Sequence, residues 1–212
     1  ITFNINRQAS YQNTINNNIK TKGIVSFIPS LSTGFVNYPI PTVDDRISSD
    51  CSGLVIGKDQ TTNTWTYSPT IAISIAGPIS IYAGTANLTY NLTSTGSGNG
   101  ILVKATGDIS SSGGASGTPI LLKTNAGPIT LWADSDNSGA GAINLADYTD
   151  LNSANGTTAA TSQTTAGAAI TLAGGLDTSS PADGIPDGYA QGNSSGNKDG
   201  VRIGTGDRKS TR

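Results

Sequence analysis

Short runs in which apolar and polar residues alternate recur along the chain, broken by Gly, Asn, Ser and Pro. The clearest are Ile79-Ser80-Ile81-Tyr82-Ala83 and Ile129-Thr130-Leu131-Trp132-Ala133. Successive side chains of a strand point to opposite faces. Ile79, Ile81 and Ala83 are therefore expected inward and Ser80 and Tyr82 outward; Ile129, Leu131 and Ala133 are expected inward, with Thr130 and Trp132 outward. The pattern predicts strands at residues 53–57, 64–67, 71–75, 79–83, 87–92, 101–105, 119–123, 129–133, 142–146, 168–173 and 201–203. Residues 147–167 and 175–200 are small, polar and rich in turn formers, and are expected to be loops.

The runs repeat. Ala76-Gly77-Pro78-Ile79-Ser80-Ile81-Tyr82-Ala83 returns as Ala126-Gly127-Pro128-Ile129-Thr130-Leu131-Trp132-Ala133, an offset of 50 residues. Ile101-Leu102-Val103-Lys104 followed by Gly107-Asp108-Ile109 is echoed by Ile120-Leu121-Leu122-Lys123 followed by Gly127-Pro128-Ile129. Ala169-Ile170-Thr171-Leu172-Ala173-Gly174 is a weaker copy. Strand, glycine corner and strand recurring at roughly 20–25 residues per coil predict an all-β, right-handed parallel β-solenoid, in which stacking buries an apolar column that no coil buries alone. The alternative is an aligned β-sandwich, whose strands also alternate. The solenoid is expected over residues 51–203. Residues 1–50, with Phe27, Phe35 and Tyr38, are expected to cap the first coil, and residues 204–212 to form a polar tail.

Composition agrees and trims the chemistry. Ser, Thr and Asn make up about a third of the chain, with 27 glycines besides, whereas Glu, His and Met are absent. Strand and turn residues dominate over helix formers. Without His there is no Ser-His-Asp or Cys-His catalysis and no zinc–histidine site. A net charge of −2 offers no basic footprint for nucleic acid. No apolar stretch approaches the roughly 20 residues of a membrane-spanning helix, so no membrane insertion is expected. Cys51 has no intrachain partner and reads as a small half-buried residue. The chain opens on Ile1 without a charged or apolar leader, which suggests a removed signal or a piece of a longer protein.

Arg7-Gln8-Ala9-Ser10-Tyr11-Gln12-Asn13-Thr14-Ile15-Asn16, Leu54-Val55-Ile56-Gly57-Lys58 and Ser74 to Ala83 resemble the repeat unit of very large secreted or surface proteins of Bacteroidetes-type bacteria. Trp132-Ala133-Asp134-Ser135-Asp136-Asn137-Ser138-Gly139, Gly174-Gly175-Leu176-Asp177 and Asp183 to Gly188 continue that resemblance in the same order. Such proteins are similar to filamentous-haemagglutinin-like adhesins, whose repeats form β-helices. The resemblance implies an extracellular structural or adhesive module, not an enzyme, with neighbouring copies of the module or glycans as partners.

Several residues are candidates for binding. Asp134, Asp136 and Ser138 place oxygens at alternate positions before Gly139, like the first half of an EF-hand calcium loop, although Leu145 stands where a bidentate Glu would be needed. Asp183 and Asp187 resemble the second half of a thrombospondin-type calcium loop, with Asp177 as a compensating acid. Calcium is therefore the one cofactor expected, against the alternative that these acids cap turns. Tyr82 and Trp132, at equivalent outward positions, could stack on sugar rings. The rival enzyme reading, a polysaccharide-degrading β-helix, would need Lys104, Asp108 or Lys123 to converge on one face.

Overall fold

The computed structural model describes residues 1–5, 17–35, 45–154, 166–191 and 200–203. The long sheet contains β1 (Thr2–Ile5), β3 (Ile24–Pro29), β5 (Gly53–Ile56), β8 (Ile79–Ala83), β11 (Ile101–Ala105), β14 (Ile129–Ala133) and β17 (Ile170–Gly174), in that order. A second sheet runs β6 (Thr66–Tyr67), β9 (Thr85–Leu88), β12 (Ile109–Ser111), β15 (Ile143–Leu145) and β18 (Val201–Ile203). A third runs β7 (Ile73–Ile75), β10 (Leu92–Ser97), β13 (Ile120–Asn125) and β16 (Thr149–Asn152). A two-stranded sheet pairs β2 (Asn17–Ile19) with β4 (Asp45–Ile47), each lying just before a strand of the long sheet. The described residues contain no helix, and every pair of these strands is parallel. The antiparallel sandwich alternative is thereby removed.

From β5 onward the described strands fall on the long, second and third sheets in turn, so each circuit lays one strand on each sheet. Register aligns like with like. Leu54, Ile79, Ile101, Ile129 and Ile170 are successive partners in the long sheet, as are Ile56, Ile81, Val103, Leu131 and Leu172. Ile73, Leu92, Leu122 and Leu151 do the same in the third sheet, and Ala86, Ile109, Ile143 and Val201 in the second. From Leu54 to Leu131 these inward side chains of the long sheet are buried. The expected register of both copies of the repeat therefore holds.

Two buried hydroxyls find backbone acceptors. Ser94 Oγ donates to the Gly77 carbonyl at 2.8 Å, and Thr124 Oγ1 donates to that of Gly127. Asparagine side chains join one circuit to the next. Asn99 Nδ2 donates to the Ala76 carbonyl at 2.8 Å, Asn125 Nδ2 to that of Thr95 at 3.1 Å, and Asn91 Oδ1 accepts from the Leu121 amide at 2.9 Å. These bonds give a physical role to an amide-rich composition, since backbone groups at corners and within strands that the ladders leave unpaired need other partners.

Within residues 1–50, β1 and β3 extend the long sheet, with Val25 and Phe27 buried. Phe35 packs edge-to-face on Trp65 at 4.8 Å between ring centroids, and Trp65 meets Tyr67 at 6.3 Å, forming an aromatic plug beside the first strand of the second sheet. A Cβ on Gly34 would lie 1.9 Å from the Trp65 ring, so only glycine lets the chain pass there. Tyr67 is fully buried, and burial pushes its hydroxyl pKa far above the usual tyrosine range. Tyr38, the Arg7–Asn16 motif and the 204–212 tail lie outside the described residues.

The strands differ from expectation in several places: β1 to β4 lie within the segment expected to be a cap, and the strands expected at 64–67 and 71–75 shorten to 66–67 and 73–75. The run at 87–92 is two strands, because the chain turns between Leu88 and Leu92: Thr89 Oγ1 donates to the Pro69 carbonyl at 3.0 Å and the Asn91 carbonyl accepts from the Ile73 amide at 2.9 Å. β16 lies inside the stretch expected to be loop, and β12 was not predicted at all; each carries one large apolar residue, Leu151 and Ile109. The Ile101 and Ile120 runs, alike in sequence, fall on different sheets.

Candidate functional site

The outer face of the long sheet carries one row of larger side chains. Tyr82, Lys104 and Trp132 are register partners on β8, β11 and β14. Lys104 Nζ lies 3.0 Å from Asp59 Oδ1 and 4.0 Å from the centroid of the Trp132 ring. The lysine therefore ties the loop after β5 to the sheet and covers one face of the indole, a cation–π contact. Tyr82 is half-buried, and its pKa is raised by burial, then by the nearby Asp59 charge, against a lowering hydrogen bond with Ser80.

Trp132 points outward, as alternation requires, yet is only 4% exposed. Its Nε1 donates to the Gly175 carbonyl at 2.7 Å, so the chain leaving β17 lies across it. The expectation that Trp132 offers an open ring to a sugar is corrected: Lys104 covers its face and Gly175 holds its polar edge. Tyr82 keeps part of its surface in solvent.

Asp134 follows Trp132 directly and is fully buried at a positive φ of 48°. Its Oδ1 accepts from Ser138 Oγ at 3.2 Å and from the amides of Gly139 at 3.1 Å and Ala140 at 3.4 Å, while Oδ2 makes no hydrogen bond to the protein. Asp136 Oδ1 accepts from the Ser138 amide at 3.2 Å. Converging N–H and O–H donors suit a carboxylate and repel a cation. Asp134 thus organises its own loop, and Ser138 serves it as a donor.

The second acidic loop has the same logic. Asp187 Oδ2 accepts from the Thr178 amide and hydroxyl, both at 2.8 Å, and from Ser179 Oγ at 3.3 Å, which holds its pKa below the usual carboxylate range. Asp177 Oδ2 accepts from the Gly184 amide at 2.8 Å and Asp183 Oδ1 from the Ile185 amide at 2.9 Å. Among the described residues no group of three or more acidic, Cys or His side chains gathers in one place. The carboxylates close turns instead.

Lys104, Asp108 and Lys123 do not converge. Asp108 Oδ1 accepts from the Ala142 amide at 2.8 Å, Lys104 is committed to Asp59, and Lys123 lies on a different sheet. Cys51 is fully buried, not half-buried, and its Sγ lies 3.0 Å from both the Gly23 and the Gly53 carbonyl oxygens, which share its one proton. Sequence reasoning missed Asp59. The row of Tyr82, Lys104 and Trp132 was readable by aligning the strands, but the position of a loop acid 45 residues from Lys104 was not.

Asp134→Ala is expected to cost about 2–4 kcal/mol, because the Gly139 and Ala140 amides and the Ser138 hydroxyl lose their acceptor. Asp134→Asn, which retains Oδ1, is expected to cost less. Urea denaturation midpoints check both, and equal losses would contradict this role for Oδ1.

The described residues form an all-β protein of parallel sheets, with Lys104 and Trp132 on the outer face of the long sheet each holding a loop. No protein-family model, curated protein or solved structure matches it.

Proposed function

We propose that this chain is a structural and adhesive module of a large, repetitive extracellular bacterial protein, its circuits forming a right-handed parallel β-solenoid that stacks end to end. Right-handedness follows the chirality of parallel crossovers. The observation that carries the reading is that, among the described residues, all three long ladders finish together on β16, β17 and β18, the last three described strands. There the apolar columns continue into solvent: Ile170 is 42% exposed, Val201 38% and Ile203 39%, although their partners Ile129, Ile143 and Leu145 are buried.

An open strand edge with an exposed apolar column is a template for further pairing. A head-to-tail contact would set β17 beside β1 of the next copy and extend the long sheet. Because head-to-tail contacts need not close into rings, they build rows. Sedimentation or light scattering against concentration tests this. Self-association that Val201→Asp with Ile203→Asp abolishes is the expected result; a strictly monomeric protein at high concentration overturns it.

A further inference from the structure

We propose that the cleft between the chain segments leaving β2 and β4 binds a saccharide bearing a carboxylate. The cleft has a volume of about 550 Å³, within the range of small-ligand sites. Ile19 and Ile47, register partners that pack against the core, form an apolar floor suited to the C–H face of a sugar ring.

Donors surround that floor. Lys20 and Lys22 line the cleft, are exposed, and make neither an ion pair nor a hydrogen bond among the described residues. The whole chain has 12 Lys and Arg among 212 residues and a net charge of −2, so two lysines separated by a single residue, without a partner among the described residues, are a local departure from its charge balance. Thr21 Oγ1 already accepts from the Gly23 amide at 2.9 Å, and Ser48 Oγ from the Asp50 amide at 3.3 Å. Each hydroxyl therefore keeps its proton to give to a ligand oxygen. Ser49 adds a third hydroxyl, and Asp50 supplies the acceptor that a sugar hydroxyl needs.

This set discriminates. Two ammonium groups favour an anion, the hydroxyls and Asp50 favour a polyol, and the floor favours a ring. An apolar ligand would leave the donors unpaired on desolvation. A nucleic-acid backbone requires several more phosphate contacts than two lysines provide. The inference is independent of whether copies stack end to end.

Calorimetric titration of the whole chain with trigalacturonate, maltotriose and inorganic phosphate tests it. Trigalacturonate is expected to bind with an affinity that falls as salt rises, and maltotriose at least about tenfold more weakly. Lys20→Ser with Lys22→Ser is expected to weaken trigalacturonate binding by about tenfold or more, with the melting temperature unchanged because both side chains are exposed and unpaired. Lys58→Ser, outside the cleft, is the control. Absence of trigalacturonate binding, equal binding of maltotriose, or indifference to the double substitution overturns the proposal. Inorganic phosphate binding as tightly as trigalacturonate overturns the saccharide assignment.

Discussion

Ile81→Asp and Leu131→Asp are each expected to cost more than about 4 kcal/mol, enough to abolish a single sharp melting transition at ordinary temperatures. Both side chains are fully buried in one column, pressed between Ile56, Val103 and Leu172 as successive register partners. A carboxylate there has no cation or donor to meet. Ser80→Asp and Thr130→Asp, one residue away on the outer face, are expected to change stability by about 1 kcal/mol or less, since partial exposure leaves the charge hydrated. Thermal circular dichroism on the four variants is decisive. Comparable losses on both faces would show the register to be wrong by one residue.

The second large effect concerns the glycine corners. Gly77→Ala and Gly127→Ala are expected to cost on the order of 3 kcal/mol or more, because overpacking here meets backbone and not a movable side chain. A Cβ on Gly77 would stand 2.0 Å from the Ser52 carbonyl carbon and oxygen, and one on Gly127 would stand 2.0 Å from the Asn99 carbonyl oxygen. At both corners the chain crosses the preceding circuit at contact distance. Gly23→Ala, where the nearest atom is Thr21 Oγ1 at 3.4 Å, is the matched control and is expected to cost less than about 1 kcal/mol. Denaturant titrations of the three variants would separate close approach from the general entropic effect of removing a glycine, which all three share.

These predictions rest on different kinds of information. The inward column could be read from alternation, because the side-chain period of a strand is two wherever the strand lies. The repeated Gly-Pro-Ile corner marked equivalent places on the long sheet, and β8 and β14 do lie two steps apart there with β11 between them. The match of Ile101 with Ile120 misled for the same reason that alternation works. Both runs are buried strands, and burial pattern alone does not say which of three sheets a strand joins. β12 and β16 were illegible because short strands with one apolar residue resemble polar turns. Their strand character comes from pairing with neighbours already in place.

The candidate sites were less legible than the fold. Asp134, Asp136 and Ser138 have the spacing of calcium ligands, but spacing does not say whether a loop's amides turn toward a carboxylate or away from it. Here they turn toward Asp134, and the loop closes on its own charge. Trp132 shows the same division. Its outward direction followed from its neighbours on β14, but its cover comes from Gly175, 43 residues later in the chain.

The sequence by itself therefore determined an all-β chain, the inward and outward faces of its strongest strands, and the glycine positions where circuits cross. These depend on local geometry and on hydrophobic periodicity, both written in neighbouring residues. Only the tertiary structure decided which sheet each strand joins, that the acidic loops bind their own amides, that Trp132 is covered, and that Lys20 and Lys22 line one cleft with Ser48 and Asp50. The acidic loops close over a few residues, where the direction of the backbone amides and not the residue types decides the partner; the others depend on contacts between residues a circuit or more apart, where loop length and the path of the chain, not local pattern, set which groups meet.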